Sequence, residues 1–273
     1  METNDPSIDE YVARACARLS LDSKERLDPW ALDEGAILWD GQAGAVWFNG
    51  RRISLPADTR DPLETGIRGV GALLAQAFRR LRRQQALYAV GVAKGDACIA
   101  VAAASGTGKT TLALELLRRG WSAFGDEFLL LDRETLIVEG VPLALMVREP
   151  SLAVLGDKRL ERLTQRGNLV SRMGGVRTWH DLDIERAFGR GALAAPRPLT
   201  HLVIFERSDN AVSSLESVSP ATATLEILPH LFIDSLKVSD MWEAVERFAR
   251  VECFRARVTD HRSGADLLEK LHS

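Results

Sequence analysis

The most constraining feature of the sequence is a single stretch, residues 96–132, which reads DACIAVAAASGTGKTTLALELLRRGWSAFGDEFLLLD. An apolar run, Ala97 to Ala102, is followed by small residues and then by a strongly helix-forming run, Thr110 to Arg119. The loop ends in seven residues, Ser105, Gly106, Thr107, Gly108, Lys109, Thr110 and Thr111. The order of strand, glycine-containing loop and helix is the one that a nucleoside triphosphate site needs.

A loop of this composition binds phosphate mainly through its backbone. Glycines let amide N–H groups turn inward around phosphate oxygens, and the amino end of the helix adds partial positive charge. Lys109 is placed to reach the β- and γ-phosphates, and the Thr110 hydroxyl is placed to bind Mg²⁺. Ala103 stands where the usual pattern has its first glycine. We therefore expect ATP and Mg²⁺ at residues 105–111; the alternative is a plain strand–helix turn that carries a lysine.

Composition narrows the class of protein. The chain has 273 residues, 46% of them hydrophobic and 27% charged, with a formal net charge of −3. These values are typical of a globular protein, and the charge argues against nucleic acid as a partner. The amino-terminal METNDPSIDE is acidic and polar, no apolar run approaches a membrane span, and three well-separated cysteines predict reduced thiols. We expect a cytoplasmic protein without a membrane partner.

The chain divides into two predicted regions. Residues 1–62 form a β-rich extension, with a short helix within residues 1–20 and a meander of three strands at 36–39, 45–48 and 51–55. Residues 63–273 form the catalytic domain, which opens with a long helix over 63–85. Nothing in the sequence decides whether the extension is a docking module or only packs.

Beyond the loop helix the pattern predicts a mixed sheet in an α/β fold. Runs at 121–124, 128–131 and 136–138 indicate strands joined by hairpins, where a simple βαβ unit would place a helix. A mobile loop is expected over 167–183, after a helix over 151–166. The remaining predicted elements are strands at 87–92, 142–147, 202–205 and 253–258 and helices at 221–231, 240–251 and 264–271.

Phosphoryl chemistry needs acidic side chains in addition to the loop. Three candidates follow or flank predicted strands: the pair Asp126-Glu127, Asp132 and Glu206. The pair lies closest in sequence to the loop helix, and at the start of a strand both side chains can address one pocket. One carboxylate could hold metal while the other accepts a proton from an acceptor hydroxyl. The alternative is a surface turn that carries two carboxylates.

Three segments together resemble the catalytic domain of HPr kinase/phosphorylase and its relatives: LYAVGV at 87–92, ASGTGKTTLALEL at 104–116 and RGWSAFGDEFLLL at 119–131. The resemblance implies a phosphate-loop kinase with a mixed sheet related to phosphoenolpyruvate carboxykinase. It implies that Lys109 binds the β- and γ-phosphates and that Thr110 holds Mg²⁺. It also implies that Asp126 is the general base and that Glu127 assists with metal or charge.

The sequence departs from that family at three points. Tyr88 stands where the family often has histidine, and the acidic pair is Asp-Glu instead of Asp-Asp. Of the family's glutamate-containing box for phosphorolysis, only Arg148 aligns. The chain therefore resembles the divergent relatives of this family, some of which phosphorylate serine on peptides, the lasso-peptide tailoring kinases among them. The implied partner is a peptide or small-protein acceptor.

Basic residues near strand ends complete the candidate site. Arg148, Arg197 and Arg207 are predicted to clamp phosphate or to recognise an acidic acceptor. Three other functions stay open: a small-molecule kinase, an ATPase without an acceptor, and a regulator that only binds nucleotide. No guanine-specificity box or transport-ATPase signature is present. The sequence leaves homo-oligomerisation open.

Overall fold

The computed structural model describes residues 37–40, 45–48, 51–53, 81, 83–141, 145–163, 165–170, 176–209, 212–232 and 238–272. The helix predicted within residues 1–20 and most of the helix predicted over 63–85 lie outside these ranges. The last two residues of that second helix, Gln84 and Gln85, are in a strand instead. Pairing of Gln84 and Gln85 with Asp132 and Leu131 explains why strand geometry extends back to them.

The described strands are, in chain order, β1 (Ile37–Asp40), β2 (Ala45–Phe48), β3 (Arg51–Ile53), β4 (Gln84–Lys94), β5 (Ala97–Ala102), β6 (Ser122–Gly125), β7 (Phe128–Asp132), β8 (Ile137–Gly140), β9 (Leu145–Arg148), β10 (Gln165–Val170), β11 (Val176–Leu182), β12 (Arg197–Pro198), β13 (His201–Arg207), β14 (Ser214–Ser217) and β15 (Glu252–Val258). The described α-helices are α1 (Lys109–Arg118), α2 (Glu149–Leu155), α3 (Lys158–Leu163), α4 (Ile184–Phe188), α5 (Pro220–Ile227), α6 (Val238–Phe248) and α7 (His261–Glu269). Strand β5, the loop and α1 confirm the predicted strand–loop–helix order.

The largest sheet is mixed, as predicted. Its strand order is β12-β8-β7-β4-β5-β13-β15-β14, and β6 also pairs with β4. Strand β13 runs parallel to both β5 and β15, whereas β4 is antiparallel to β5, β6 and β7. The predicted hairpin between β7 and β8 is present. Strands β6 and β7, however, are not a hairpin, because both lie along the same strand, β4.

Apolar side chains cover both faces of this sheet. In β5, Ile99 and Val101 belong to a core cluster that includes Leu112 and Leu116 of α1. Cys98, Ala100 and Ala102 alternate with them and belong to a second cluster, which includes residues of α5 and α6. Burial on both faces is typical of a central strand. It fixes the end of β5, and therefore the start of the loop, against the rest of the fold.

Two smaller sheets complete the described structure. Strands β1, β2 and β3 form the antiparallel meander that the sequence predicts. Strands β9, β10 and β11 form a second antiparallel sheet in the order β10-β11-β9. The prediction of a mobile loop over 167–183 is therefore wrong for residues 167–170 and 176–182. The polar residues there are compatible with strands because each strand pairs along its whole length.

Three further predictions can be compared with the structure. The helix predicted over 151–166 is two short helices, because Gly156 takes a left-handed conformation between them (φ 62°). Cys98 and Cys253 are free and buried, as predicted. Among the described residues no helix is long and apolar enough to cross a membrane.

Candidate functional site

The loop between β5 and α1 is built to leave backbone amides available. Gly108 precedes the helix with φ 102° and offers no side chain to cap it. The first N–H groups of a helix have no partner inside the helix, so here they are left to a ligand. Thr107 turns its hydroxyl away, donating to the carbonyl of Ala104 at 2.8 Å. The geometry suits an anion at the amino end of α1.

Lys109 is the buried cation of the site, with only 6% of its surface exposed. Its ammonium donates to the carbonyl oxygens of Ala103 at 2.7 Å and Ala104 at 3.2 Å. Burial lowers the pKa of Lys109 to about 8, although Asp126 and Glu127 nearby act to raise it. A partly desolvated ammonium beside free amides is a strong binding group for phosphate.

The carboxylate pair lies in a tight turn that interrupts one long strand. Glu127 has a positive φ of 69°, and the Phe128 amide donates to the Asp126 carbonyl at 2.9 Å. A hydrogen bond across one residue with positive φ defines a strained γ-turn, and such strain clusters at functional sites. The Ala89 amide of β4 donates to the Glu127 carbonyl at 3.0 Å and fixes the turn. The turn explains how two adjacent side chains reach one pocket.

Asp126 faces the start of α1. The Thr110 hydroxyl donates to its two carboxylate oxygens at 3.1 and 3.2 Å. Burial, and then the charge of Glu127, raise the pKa of Asp126 to about 7, against the opposing effects of Thr110 and Lys109. Burial also raises the pKa of Glu127. Two carboxyl groups with raised pKa values beside a buried lysine are typical of a catalytic site.

One pocket brings most of the predicted residues together. Its predicted lining residues are Ser105, Gly106, Gly108, Lys109, Thr110, Thr111, Asp126, Glu127 and Arg148. Arg148 comes from the end of β9, and one of its guanidinium nitrogens lies 3.8 Å from where a side chain on Gly106 would begin. The loop after β5, the turn between β6 and β7, and the end of β9 are separated in sequence and converge here.

Arg197 and Arg207 are not brought into this pocket. Arg197 donates to the carbonyl of Gly95 at 3.0 Å, in the turn that enters β5, and the loop lies at the opposite end of that strand. The reason is that Arg197 precedes β13, which runs parallel to β5. Arg207, at the other end of β13, is exposed and does not line the pocket.

The other two acidic candidates have structural partners. Asp132 accepts hydrogen bonds from the backbone amides of Glu134 and Thr135 and from Arg83 at 2.8 Å. Glu206 forms ion pairs with the guanidinium groups of Arg255 and Arg257 on the neighbouring strand β15. Neither residue lines the pocket.

Sequence reasoning missed part of the lining. Ser151 lies at the start of α2 and accepts a hydrogen bond from the Thr111 hydroxyl at 2.9 Å, and Met146 lies on β9. Tyr88 was noticed only as a departure from a family pattern, yet its ring centroid lies 4.1 Å from the Lys109 ammonium nitrogen. The sequence feature that indicates a place for Tyr88 in the pocket is its position on the strand next to β5. For Ser151 that feature is its position three residues after Arg148.

The donor set fits Mg²⁺ when phosphate is present. The Thr110 hydroxyl and the Asp126 and Glu127 carboxylates supply oxygen, which this ion prefers, and Mg²⁺ commonly binds one or two carboxylates together with substrate phosphates. In the part of the chain that is described, no cluster of three or more His, Cys, Asp or Glu side chains could hold a metal by itself. A site completed by nucleotide agrees with that composition.

No family model and no curated protein matches the chain. Among solved structures, the fold is similar to that of the HPr(Ser) kinase/phosphatase from Coxiella burnetii, at 13% sequence identity. The match covers 68% of this chain and 93% of that chain, with a TM-score of 0.35. At that TM-score the relationship is a distant one of fold.

Proposed function

We propose that this protein is an ATP- and Mg²⁺-dependent kinase that transfers the γ-phosphate to a serine hydroxyl of a peptide or small protein. One observation carries the proposal: the uncapped amino end of α1, with Lys109 and Thr110, faces the carboxylates of buried Asp126 and half-buried Glu127 in one pocket. An anion-binding helix end opposite a carboxylate pair is the combination that phosphoryl transfer requires.

Phosphate binding belongs to the loop side of the pocket. The amides of the first turn of α1 and the Lys109 ammonium would hold the β- and γ-phosphates. Arg148 approaches the loop from β9 and adds a second positive charge on the same side. Positioning and charge stabilisation supply most of the rate enhancement in phosphoryl transfer, because the protein makes no covalent bond to the phosphoryl group.

The carboxylate side would hold metal and accept the proton. Thr110 and the pair Asp126-Glu127 would hold Mg²⁺, which when bound neutralises charge on the phosphates. Asp126 takes the place of general base, because it is the carboxylate that faces the start of α1, where the phosphates would lie. Its contact with Thr110 also gives Asp126 a share in holding the metal, and separate variants of the two carboxylates distinguish these roles.

The serine acceptor is supported by the sequence resemblance to peptide-modifying relatives, and the pocket itself does not select it. A direct test is intact mass spectrometry of serine-containing peptides and small proteins, including those encoded beside this gene, after incubation with the protein, ATP and Mg²⁺. We expect a mass gain of one phosphate. The same reaction with threonine or alanine in place of the modified serine defines the acceptor.

The matched variants are Asp126→Asn and Asp96→Asn. Asp96 lies exposed in the turn between β4 and β5, far along β5 from the loop, so its variant should retain activity. Phosphate gain in wild type and in Asp96→Asn but not in Asp126→Asn supports the proposal. ATP consumption that is equal in all three proteins and independent of any acceptor contradicts it and favours an ATPase.

A further inference from the structure

Tyr88 lies between the two halves of the pocket. It belongs to β4, the strand that pairs with β5 on one side and with the continuous β6–β7 edge on the other. The loop follows β5, and the carboxylate turn joins β6 to β7. A side chain at this position of β4 can therefore contact both halves at once.

The Tyr88 ring is held by its neighbours. The His230 ring stacks on it, with centroids 6.2 Å apart and planes 20° apart, and the Phe128 ring lies at 6.0 Å. His230 is itself fixed, because the Phe232 amide donates to the carbonyl of Ala86 on β4 at 3.1 Å. Aromatic pairs of this geometry restrict the ring to one orientation.

The Tyr88 ring contacts the buried cation of the site. The Lys109 ammonium nitrogen lies 4.1 Å from the ring centroid, well within the range of a cation–π contact. Tyr88 lines the same pocket as Glu127 and Ser105. One side chain thus contacts the buried cation from within the pocket that the carboxylate pair and the loop also line.

We propose that Tyr88 is a positioning residue of this site: its ring holds the Lys109 ammonium, so that the cation keeps its place opposite the carboxylate pair. Its purpose in catalysis rests on the proposed function, but the contacts exist in the free protein and can be tested without nucleotide. A leucine has similar bulk without a ring face, whereas phenylalanine keeps the ring and removes only the hydroxyl.

The test measures the rate at which an amine-reactive ester acylates Lys109 in the free protein, by peptide mass spectrometry, relative to exposed Lys158. Tyr88→Leu should raise the Lys109 rate about tenfold, the change in population that a contact of this class supplies. Tyr88→Phe should leave it within about twofold of wild type. Phe254→Leu, which alters a partly buried aromatic of β15, is the matched control and should change nothing.

Each outcome is decisive for Tyr88. Protection of Lys109 that is lost in Tyr88→Leu and retained in Tyr88→Phe supports the ring contact. Equal acylation in wild type and Tyr88→Leu overturns the proposal, whatever the protein does with ATP. If Tyr88→Leu fails to fold, as judged by circular dichroism, Tyr88→Ile provides the same comparison in a residue that favours strands. A failure of phosphotransfer in wild type would bear on the proposed kinase alone, since the acylation readout uses neither ATP nor an acceptor.

Discussion

Asp126 and Asp132 flank the same strand, β7, and both are buried, with 4% and 8% of their surfaces exposed. Asp126 accepts hydrogen bonds from one side-chain hydroxyl, that of Thr110, and its pKa is raised to about 7. Asp132 accepts from two backbone amides and from Arg83, and its pKa is lowered to about 2. Burial and then the charge of Glu127 raise the pKa of Asp126, whereas the donors around Asp132 outweigh the effect of its burial.

The contrast separates a structural carboxylate from a reactive one. Asp132 is satisfied by its own turn and needs nothing further. Asp126 and Glu127 lie side by side with too few donors, and additional charge from a metal or a proton would relieve both. A site that holds unsatisfied charge in the free protein is prepared for a ligand, at some cost in stability.

The largest expected effect is a difference in phosphotransfer activity between variants of Asp126 and Asp132. Asp126→Asn should lower phosphotransfer about a thousandfold, because the variant removes the proton acceptor and part of the metal site. Asp132→Asn should retain most activity, since Asp132 does not line the pocket. The measurement is the initial rate of phosphopeptide formation at saturating ATP. Similar losses of activity in both variants would contradict the assignment of Asp126 as reactive and Asp132 as structural.

The second prediction is that Asp132 and Asp126 contribute to the free energy of unfolding with opposite pH dependence. The lowered pKa of Asp132 means that its charged form stabilises the fold above about pH 4 and that this contribution is lost as the pH falls towards 2. Asp132→Asn should therefore lower the free energy of unfolding at pH 6 by about 1–3 kcal/mol and have little effect at pH 2.

Asp126 should behave in the opposite way. Its raised pKa means that the folded state favours the protonated form, so its contribution declines as the pH rises from about 4 through 7. Asp126→Asn should thus be more stable than wild type at pH 8 and nearly equal to it at pH 4. Urea unfolding at these pH values measures both effects; two variants with the same pH dependence would contradict the assigned environments.

The third prediction extends the contrast to two arginines. Arg148 lines the pocket beside the loop, whereas Arg197 donates to the Gly95 carbonyl at the far end of β5. Arg148→Ala should weaken ATP binding about tenfold, the usual effect of losing one charge-assisted contact. Arg197→Ala should leave ATP binding unchanged. Calorimetric titration with ATP and Mg²⁺ compares the two, and equal losses would place the phosphate elsewhere.

Local patterns predicted the parts of the site that lie within one stretch of sequence. The run from Ala97 to Arg119 predicted strand, loop and helix because apolar burial, glycines and helix propensity agree there. The sequence also predicted that Asp126 and Glu127 share a pocket. It could not predict how, because the positive φ of Glu127 depends on pairing with β4, about 40 residues earlier in the chain.

The features that the sequence did not predict depend on contacts between segments that are distant in the chain. The polar residues of β10 and β11 show no apolar alternation, so the sequence predicts a loop where the two strands pair. The sequence likewise does not distinguish Arg197 and Arg207 from Arg148, because all three lie near strand ends. Strand direction places Arg197 at the far end of the sheet from the loop, and sequence spacing does not contain that information. Arg207 lies at the loop end of β13 but is exposed and does not line the pocket.

The smallest expected effect concerns the strain in the carboxylate turn. Glu127 has φ 69°, a conformation that glycine adopts without the steric cost of a side chain. Glu127→Gly should therefore be more stable than Glu127→Gln by about 1 kcal/mol, while both lose activity together with the carboxylate. Chemical denaturation of the two variants isolates backbone strain, because both lack the charge.

Leu136 provides the matched comparison at the other end of β7. It also has a positive φ, 55°, in the turn that Asp132 closes, but its side chain is buried with 5% exposed. Leu136→Gly relieves similar strain and removes a buried leucine, a loss of about 2–5 kcal/mol, so it should destabilise the protein. A gain in stability at residue 127 with a loss at 136 would show that strain at the carboxylate turn is not offset by packing. If Glu127→Gly were the less stable of the two Glu127 variants, the turn would carry no strain and the carboxylate pair would owe its position to side-chain contacts alone.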